Sequence, residues 1–237
     1  MKWVKFTLHF PSFFSSRIPD YSSQYALSLP IPSPSTVKLG LVATAIRTSG
    51  RVEEGERVFY AVRDSEVMIK PPEQIIINSF LIKRLKKKGE KEKKEKQEKI
   101  DYKPAFENTF GTREYVFYAE DPELYIGCED LCTVKKYIKM LRYLGSSDSI
   151  VYVKQVKEIE KPPQNAIKAV KGDEFNMASK IDCVVYPVKD IDKKAKFEEL
   201  NPFSGEFAKN VFEIKYYLIR AKIKKGKNWK VFNMYNL

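Results

Sequence analysis

Hydrophobic and polar residues alternate over residues 2–10 of this 237-residue chain, where every second position is apolar: Val4, Phe6, Leu8 and Phe10. Such alternation predicts a β-strand with one buried face. After a proline- and serine-rich arm at 11–32, the spacing becomes helical, with one broad apolar face made of Val37, Leu41, Val42, Ala45 and Ile46. Ser33 suits an N-cap and Pro34 the first helical position, so a helix is predicted over 34–48.

The rest of the first 160 residues continues to change between element types. A second strand is predicted at 56–63 (ERVFYAVR), because the segment is rich in aromatic and β-branched residues, and it continues at 66–70. The other predicted elements are a third strand at 114–119 extended by 124–127, a second helix from Asp130 or Thr133 to Gly145, and a fourth strand at 149–159. The order strand, helix, strand, strand, helix, strand predicts an α+β fold with a ferredoxin-like (RRM-like) domain over 1–160.

An insertion of about forty residues, at about 73–111, separates the second and third predicted strands. Two apolar legs at 75–82 and 100–110 flank the stretch LKKKGEKEKKEKQEK, which has no apolar periodicity. Such a stretch buries too little surface to offset its ordering entropy, so it should be mobile when nothing is bound. The plainer interpretation is a solvated lysine- and glutamate-rich loop or a short exposed helix.

The prolines at 162 and 163 mark a predicted boundary, beyond which a small, basic, β-rich C-terminal unit spans 161–237. Its predicted strands lie at 182–189, at 211–224 and, after the turn KGKN, at 229–235. Loops are predicted at 160–180 and 190–209.

Net charge is the most informative feature of the composition. The chain carries a formal charge of +12, and two segments account for it: residues 83–103, with eleven basic against five acidic residues, and residues 209–230, with eight against one. Two basic surfaces on a neutral body indicate a polyanionic partner. The heavy use of lysine and glutamate also suits a thermophile, which would account for some of this charge without any ligand.

The start of the predicted helix is a candidate anion site. The positive end of a helix, the hydroxyls of Ser33, Ser35 and Thr36, and the nearby Arg17 together suit a phosphate group. The plainer interpretation is an ordinary capped core helix.

The same region resembles a known protein family. A first strand, a segment with Phe13, Phe14, Arg17 and Pro19, and then LPIPSPSTVKLGLVATAI resemble the Cas-five family of CRISPR-associated RAMP proteins. The matching positions in that stretch are Pro30, Pro32, Pro34, Ser35, Thr36, Gly40 and Leu41. The C-terminal half departs from related repeat-processing proteins, because it lacks their glycine-rich loop and offers only Gly226 in KGKN.

The resemblance implies a non-catalytic RNA-binding subunit of a type I Cascade effector complex, with the archaeal type I-A branch as one candidate subtype. Such a subunit holds the 5′ handle of the mature CRISPR RNA (crRNA) and caps the backbone filament in antiviral defence. Its expected partners are the crRNA, the Cascade backbone RAMP subunit and the large subunit, and target DNA is a further candidate.

The insertion corresponds to the family's thumb, which wedges between guide nucleotides; Leu85 or Ile82 would supply the wedge. The expected RNA-binding residues are Arg17, Ser33, Ser35, Thr36 and Lys38 at the helix start and Arg84, Lys86 and Lys87 on the thumb. Phe13, Phe14 and Tyr21 are expected to stack on bases.

Catalytic motifs are scarce. The only histidine is His9, on the polar side of the first strand, and the aspartates form no two-metal pattern. No metal or cofactor is expected. The alternative function is a metal-independent endoribonuclease that processes pre-crRNA repeats with Tyr, Lys and His, as a minority branch of the family does. A general ribonucleoprotein scaffold is a third alternative.

The remaining features indicate a cytoplasmic protein. No apolar run reaches membrane-spanning length. Cys128, Cys132 and Cys183 are odd in number and scattered, so neither a disulfide framework nor a zinc site is expected.

Overall fold

A computed structural model describes residues 2–21, 25–87, 106–146, 148–172, 174, 183–204 and 210–235. Its elements, in chain order, are β1 (Lys2–His9), β2 (Tyr25–Ala26), α1 (Pro34–Ser49), α2 (Val52–Val62), β3 (Glu66–Lys70), β4 (Gln74–Lys87), β5 (Phe106–Tyr118), β6 (Glu123–Cys128), α3 (Leu131–Ile138), β7 (Tyr152–Ile159), β8 (Ile167–Lys168), β9 (Val184–Ile191), α4 (Phe197–Leu200), β10 (Phe212–Ile219), β11 (Ala221–Lys225) and β12 (Trp229–Met234). Within the described ranges, no helix is both long and apolar enough to cross a membrane.

The first sheet has the strand order β7-β1-β6-β3-β8, and every neighbouring pair is antiparallel. The apolar side chains of β1 that were predicted to be buried lie in the core, as do Val37, Leu41 and Val42 of α1. The predictions of a first strand at 2–10 and a first helix at 34–48 are therefore confirmed.

The predicted second strand at 56–63 is wrong, because this segment lies in helix α2. Val58, Phe59 and Val62 bury one helical face, while Tyr60 between them is exposed. The aromatic and β-branched content suggested a strand, but packing against α1 and α3 overrides so weak a local preference. The second strand of the first sheet is instead β3, which had been predicted only as a continuation.

Two further boundaries differ from prediction. Helix α3 ends at Ile138, well before Gly145, although Leu141 and Leu144 beyond it stay buried. A Cβ added to Gly40 of α1 would lie 3.0 Å from Cδ1 of Leu144, so the glycine lets this non-helical segment pack closely against α1. The third strand and its predicted extension are two separate strands, β5 and β6, in different sheets.

The second sheet has the order β11-β12-β4-β5-β2 and is built around the long β4–β5 hairpin. The hairpin lies between β3 and β6, where the insertion was predicted, and its strands pair from Ile75 opposite Tyr118 to Lys87 opposite Phe106. The basic stretch at 88–105 lies outside the described residues.

The strands after residue 160 contribute to each of the three sheets in the described residues. β12 pairs with β4, β8 pairs with β3, and β9 and β10 form a two-stranded sheet. The predicted strands at 182–189, 211–224 and 229–235 correspond to β9, to β10 with β11, and to β12. The predicted loops contain β8 and the short α4. The division of the chain at 160 stays a prediction.

A buried ion pair joins helix α1 to the C-terminal strands. Lys38 is 1% exposed, and its Nζ donates hydrogen bonds to Oδ1 of Asp190 at 2.7 Å and to the carbonyl of Arg63 at 2.9 Å. The second carboxylate oxygen of Asp190 accepts from Lys215 at 2.7 Å. Burial lowers the pKa of Lys38, although the attraction of Asp190 opposes this effect.

The replacement Asp190→Asn should destabilise the fold by about 3–5 kcal/mol near neutral pH, because it leaves the charge of Lys38 buried without a negatively charged partner. The lost attraction should lower the folded-state pKa of Lys38 further. The unfolded chain then binds more protons between that pKa and the ordinary lysine pKa of 10.5, so the unfolding free energy should rise with pH in this window.

Urea unfolding at several pH values measures both effects. The matched control is Lys215→Ala, which leaves the pair between Lys38 and Asp190 in place and should cost less, because Lys215 is partly exposed. Equal losses in the two variants would contradict the prediction.

Candidate functional site

The proline-rich approach to α1 is held by two buried tyrosines. The hydroxyl of Tyr118 donates to the carbonyl of Pro30, and that of Tyr217 donates to the carbonyl of Pro32, both at 2.9 Å. Burial raises the pKa of both tyrosines well above the usual range, so they remain protonated donors. Prolines lack a backbone N–H, but their carbonyls here anchor the chain where the helix begins.

The hydroxyls at the helix start form one connected group. Oγ of Ser33 accepts from the backbone N–H of Thr36 at 3.1 Å, which makes Ser33 the predicted N-cap. The same hydroxyl lies 3.0 Å from Oγ of Ser35 and 2.8 Å from Oγ1 of Thr36. Oγ of Ser16, in the arm, lies 3.3 Å from Oγ1 of Thr36 and so belongs to the same group. The capping role is therefore present, and Thr36 remains half-buried at the surface.

An open depression of about 640 Å³ lies directly in front of this group. Arg17 and Lys189 contribute two cations to its lining, together with Ser33, Ser35 and Thr36. Arg17 is exposed, and one of its N–H groups donates to the carbonyl of Tyr21 at 2.7 Å. Hydroxyl donors, a helix N-terminus and two cations meet here, and this combination suits a phosphate group.

The negative charge of Asp20 disfavours the binding of an anion in this depression. Its carboxylate lies 3.3 Å from Nζ of Lys189 and is largely exposed. An exposed ion pair of this kind is weak, because water and salt screen it. An incoming phosphate can therefore compete with Asp20 for Lys189.

Two residues predicted for binding lie in the core instead. Lys38 was expected at the surface of the site, but its ammonium is buried and paired with Asp190, which is a correction to that assignment. Phe14 was expected to stack on a base, but it is fully buried against Phe10 and Tyr118. In both cases the side chain points from the surface segment into the core, a direction that local sequence does not specify.

Phe13 and Tyr21, the other residues predicted to stack, are exposed on the arm. The ring of Phe13 lies 6.4 Å from that of Phe80 in β4 and 6.0 Å from that of Tyr115 in β5. The arm is thus packed on the hairpin, and Tyr25 of β2 pairs with Thr112 of β5. Strand β5 therefore contacts both the arm and β4.

The residues predicted for the thumb lie in the outer part of β4. Arg84, Lys86 and Lys87 pair through their backbones with Thr109, Glu107 and Phe106. Leu85 is 70% exposed, whereas Ile82 is half-buried. Of the two predicted wedge residues, Leu85 has the more accessible side chain.

The single histidine has acquired neighbours that sequence spacing did not show. Nδ1 of His9 donates to Oδ1 of Asp121 at 2.7 Å, and the rings of His9 and Tyr152 lie 4.8 Å apart. Lys154 pairs with the other oxygen of Asp121. Burial alone would raise the pKa of Asp121, but hydrogen bonds from Lys154 and His9 outweigh it and lower the pKa.

Sequence reasoning missed Lys189. The alternation of β9 shows that Lys189 and Asp190 face opposite sides, which was available from the pattern. The pattern did not show which strand would lie beside the helix start. That placement depends on the contact between Lys38 and Asp190, which are more than 150 positions apart.

No family model matches the sequence. A solved structure described as a CRISPR protein from Archaeoglobus fulgidus aligns over all of this chain and 93% of its own, with 12% identity and a TM-score of 0.44. A chain of a CRISPR RNA-guided surveillance complex aligns over 90% of this chain and 88% of its own, with 13% identity and a TM-score of 0.43. Both scores are below 0.5, so neither likeness supports a conclusion on function.

Sequence comparison is decisive. The CRISPR-associated protein Cas5 of Archaeoglobus fulgidus is 63% identical over 235 residues, which are 99% of this chain and 99% of that protein. This confirms the resemblance drawn from the helix start and its approach. The chain therefore belongs to the Cas5 family of CRISPR-associated proteins.

Proposed function

We propose that this protein is a non-catalytic, cytoplasmic RNA-binding subunit of a type I Cascade effector complex and that it holds the 5′ handle of the crRNA. The observation that carries the proposal is the depression at the start of α1, where Arg17 and Lys189 flank the hydroxyls of Ser35 and Thr36. Phosphate contacts of this kind fix the position of a nucleic acid without reading its sequence.

The fold supports this assignment. The first sheet contains β7, β1, β6 and β3 as antiparallel neighbours, and helices follow its first and third strands in the chain. This strand order is the one expected of a ferredoxin-like (RRM-like) domain, a class that often binds single-stranded RNA, and it supports the proposal. The β4–β5 hairpin would serve as the thumb, with the exposed Leu85 as its apolar wedge.

The partners follow from the same proposal. A subunit at one end of the guide would contact the backbone subunit and the large subunit, and target DNA where it pairs beside the thumb. The cations of the hairpin, Arg84, Lys86 and Lys87, would add phosphate contacts to those at the helix start.

The double variant Arg17→Ala with Lys189→Ala should bind handle RNA at least tenfold more weakly, because hydrogen bonds to charged groups are worth about 1.5–3 kcal/mol. Fluorescence anisotropy with labelled handle RNA measures the change. The matched control is Lys157→Ala, an exposed lysine on β7. A general scaffold protein would bind handle RNA and a scrambled RNA equally, and this result would refute the handle assignment.

Deletion of residues 86–99 should flatten the salt dependence of RNA affinity, since each phosphate contact adds about 0.7 to the slope of log K against log salt for single strands. The thermal midpoint should change little, because Ile75 and Ile77, the core-forming residues of β4, are retained. An unchanged slope would remove the thumb from the proposed interface.

An endoribonuclease is the second candidate function, and the contacts of His9 favour it specifically. With Nδ1 bonded to Asp121, Nε2 of His9 is the nitrogen that would take a proton from an RNA 2′-hydroxyl. The 2′-oxygen would bond to phosphorus, the bond to the 5′-oxygen would break, and the leaving oxygen would take its proton from Tyr152, to which His9 returns one.

Incubation of the purified protein with end-labelled repeat RNA in EDTA separates the two functions. A non-catalytic subunit should leave the RNA intact. Cleavage to a 2′,3′-cyclic phosphate that His9→Ala abolishes and Lys157→Ala does not would establish the endoribonuclease and overturn the first proposal.

A further inference from the structure

The second sheet has one face in the core and one face turned outward. Ile75, Ile77, Val116 and Phe232 occupy alternate positions of β4, β5 and β12 and are buried. The positions between them therefore face away from the core. We call the aromatic positions on this side the outer face: Phe80, Tyr115, Phe117 and Trp229.

The outer face is accessible. Phe80, Phe117 and Trp229 are each 44% exposed, and Tyr115 is half-buried. So much exposed aromatic surface in one place is unusual for a side of a sheet that faces only water. Phe13 of the arm packs at the edge of the group against Phe80 and Tyr115, and the turn at Gly226 lies against Trp229.

The rings have fixed positions. Those of Phe80 and Tyr115 lie 5.9 Å apart in an edge-to-face arrangement. Trp229 and Tyr115 are the cross-strand neighbours of Asn78 on its two sides, which puts their backbones about 10 Å apart by strand spacing. A Cβ on Gly226 would lie 2.4 Å from the indole nitrogen of Trp229, so the indole rests against the backbone of the turn.

The charge around these rings is positive. Lys222 and Lys224 are exposed on β11 at positions opposite Asn233 and Val231, on the same side of the sheet as Trp229. Along β4, β5, β11 and β12, none of the outward positions whose side chains the structure describes carries a carboxylate. A negatively charged partner is therefore favoured over the whole central part of the face.

Exposed aromatic rings interleaved with lysines fit a single-stranded nucleic acid, because bases stack on the rings while phosphates meet the lysines. A protein partner fits less well, since the cores of protein interfaces are enriched in aromatic residues but depleted in lysine.

We propose that the outer face binds single-stranded RNA by base stacking on Trp229, Phe80 and Tyr115, with Lys222 and Lys224 on its phosphates. This surface is distinct from the depression at α1, and it requires no handle sequence.

The test is the binding of a fluorescein-labelled 15-nucleotide oligouridine to the full chain, measured by anisotropy. Trp229→Ala and Phe80→Ala should each weaken binding roughly 5- to 100-fold, the usual loss for one stacked base. Trp229→Phe should retain most of the affinity. The matched control is Leu81→Ala, which changes a 74% exposed neighbour of Phe80 on the opposite side of the hairpin and should bind like the unaltered protein.

The outcomes are separable. Binding of oligouridine by Trp229→Ala as tight as by Leu81→Ala would overturn the proposal, and so would binding of oligodeoxythymidine alone, which would indicate DNA. If the unaltered chain binds neither oligomer and Trp229→Ala only weakens assembly with partner subunits, the face is a protein interface and the proposal fails. The double variant Arg17→Ala with Lys189→Ala should still bind oligouridine. A loss of handle binding at the depression can therefore be told apart from a loss of binding at the outer face.

Discussion

The burial of Lys38 against Asp190 is the constraint on which the arrangement of the helix start depends. A buried ammonium requires a counter-charge, and Asp190 is supplied by β9, far along the chain. Because β9 alternates, the residue before Asp190 faces the other way, and this residue is Lys189. The same strand therefore neutralises the core lysine and brings a cation to the surface depression in front of α1.

A second buried carboxylate connects the arm to the second sheet. Glu114 of β5 accepts from the backbone of Ser28 in the arm at 3.1 Å and from Lys230 of β12 at 2.8 Å, and Ser79 of β4 lies 3.4 Å away. One side chain thus connects the arm, the hairpin and the C-terminal strands. Removal of any of these partners would leave a buried polar group incompletely bonded, which costs about 1–3 kcal/mol.

These two carboxylates change the meaning of the basic C-terminal segment. Lys215 and Lys230 belong to the cluster at 209–230 that was read as a polyanion surface, yet both neutralise buried acids. In contrast, Lys222 and Lys224 are exposed beside the aromatic rings of the second sheet. Part of the positive charge therefore stabilises the fold, and part remains available for a ligand.

The sequence alone determined the features that depend on near neighbours in the chain. The alternation of β1, the capped start of α1, the turn between β11 and β12 and the family-like approach through Pro30 and Pro32 all arise from local chemistry. The predictions from sequence were wrong at positions where long-range packing determines the secondary structure or the direction of the side chain. Residues 56–63 became a helix because their apolar face found α1 and α3, and Phe14 and Lys38 turned inward because the core offered them partners. The depression in front of α1, the neighbours of His9 and the outer face each combine residues from distant strands, and only the tertiary structure brings such residues together.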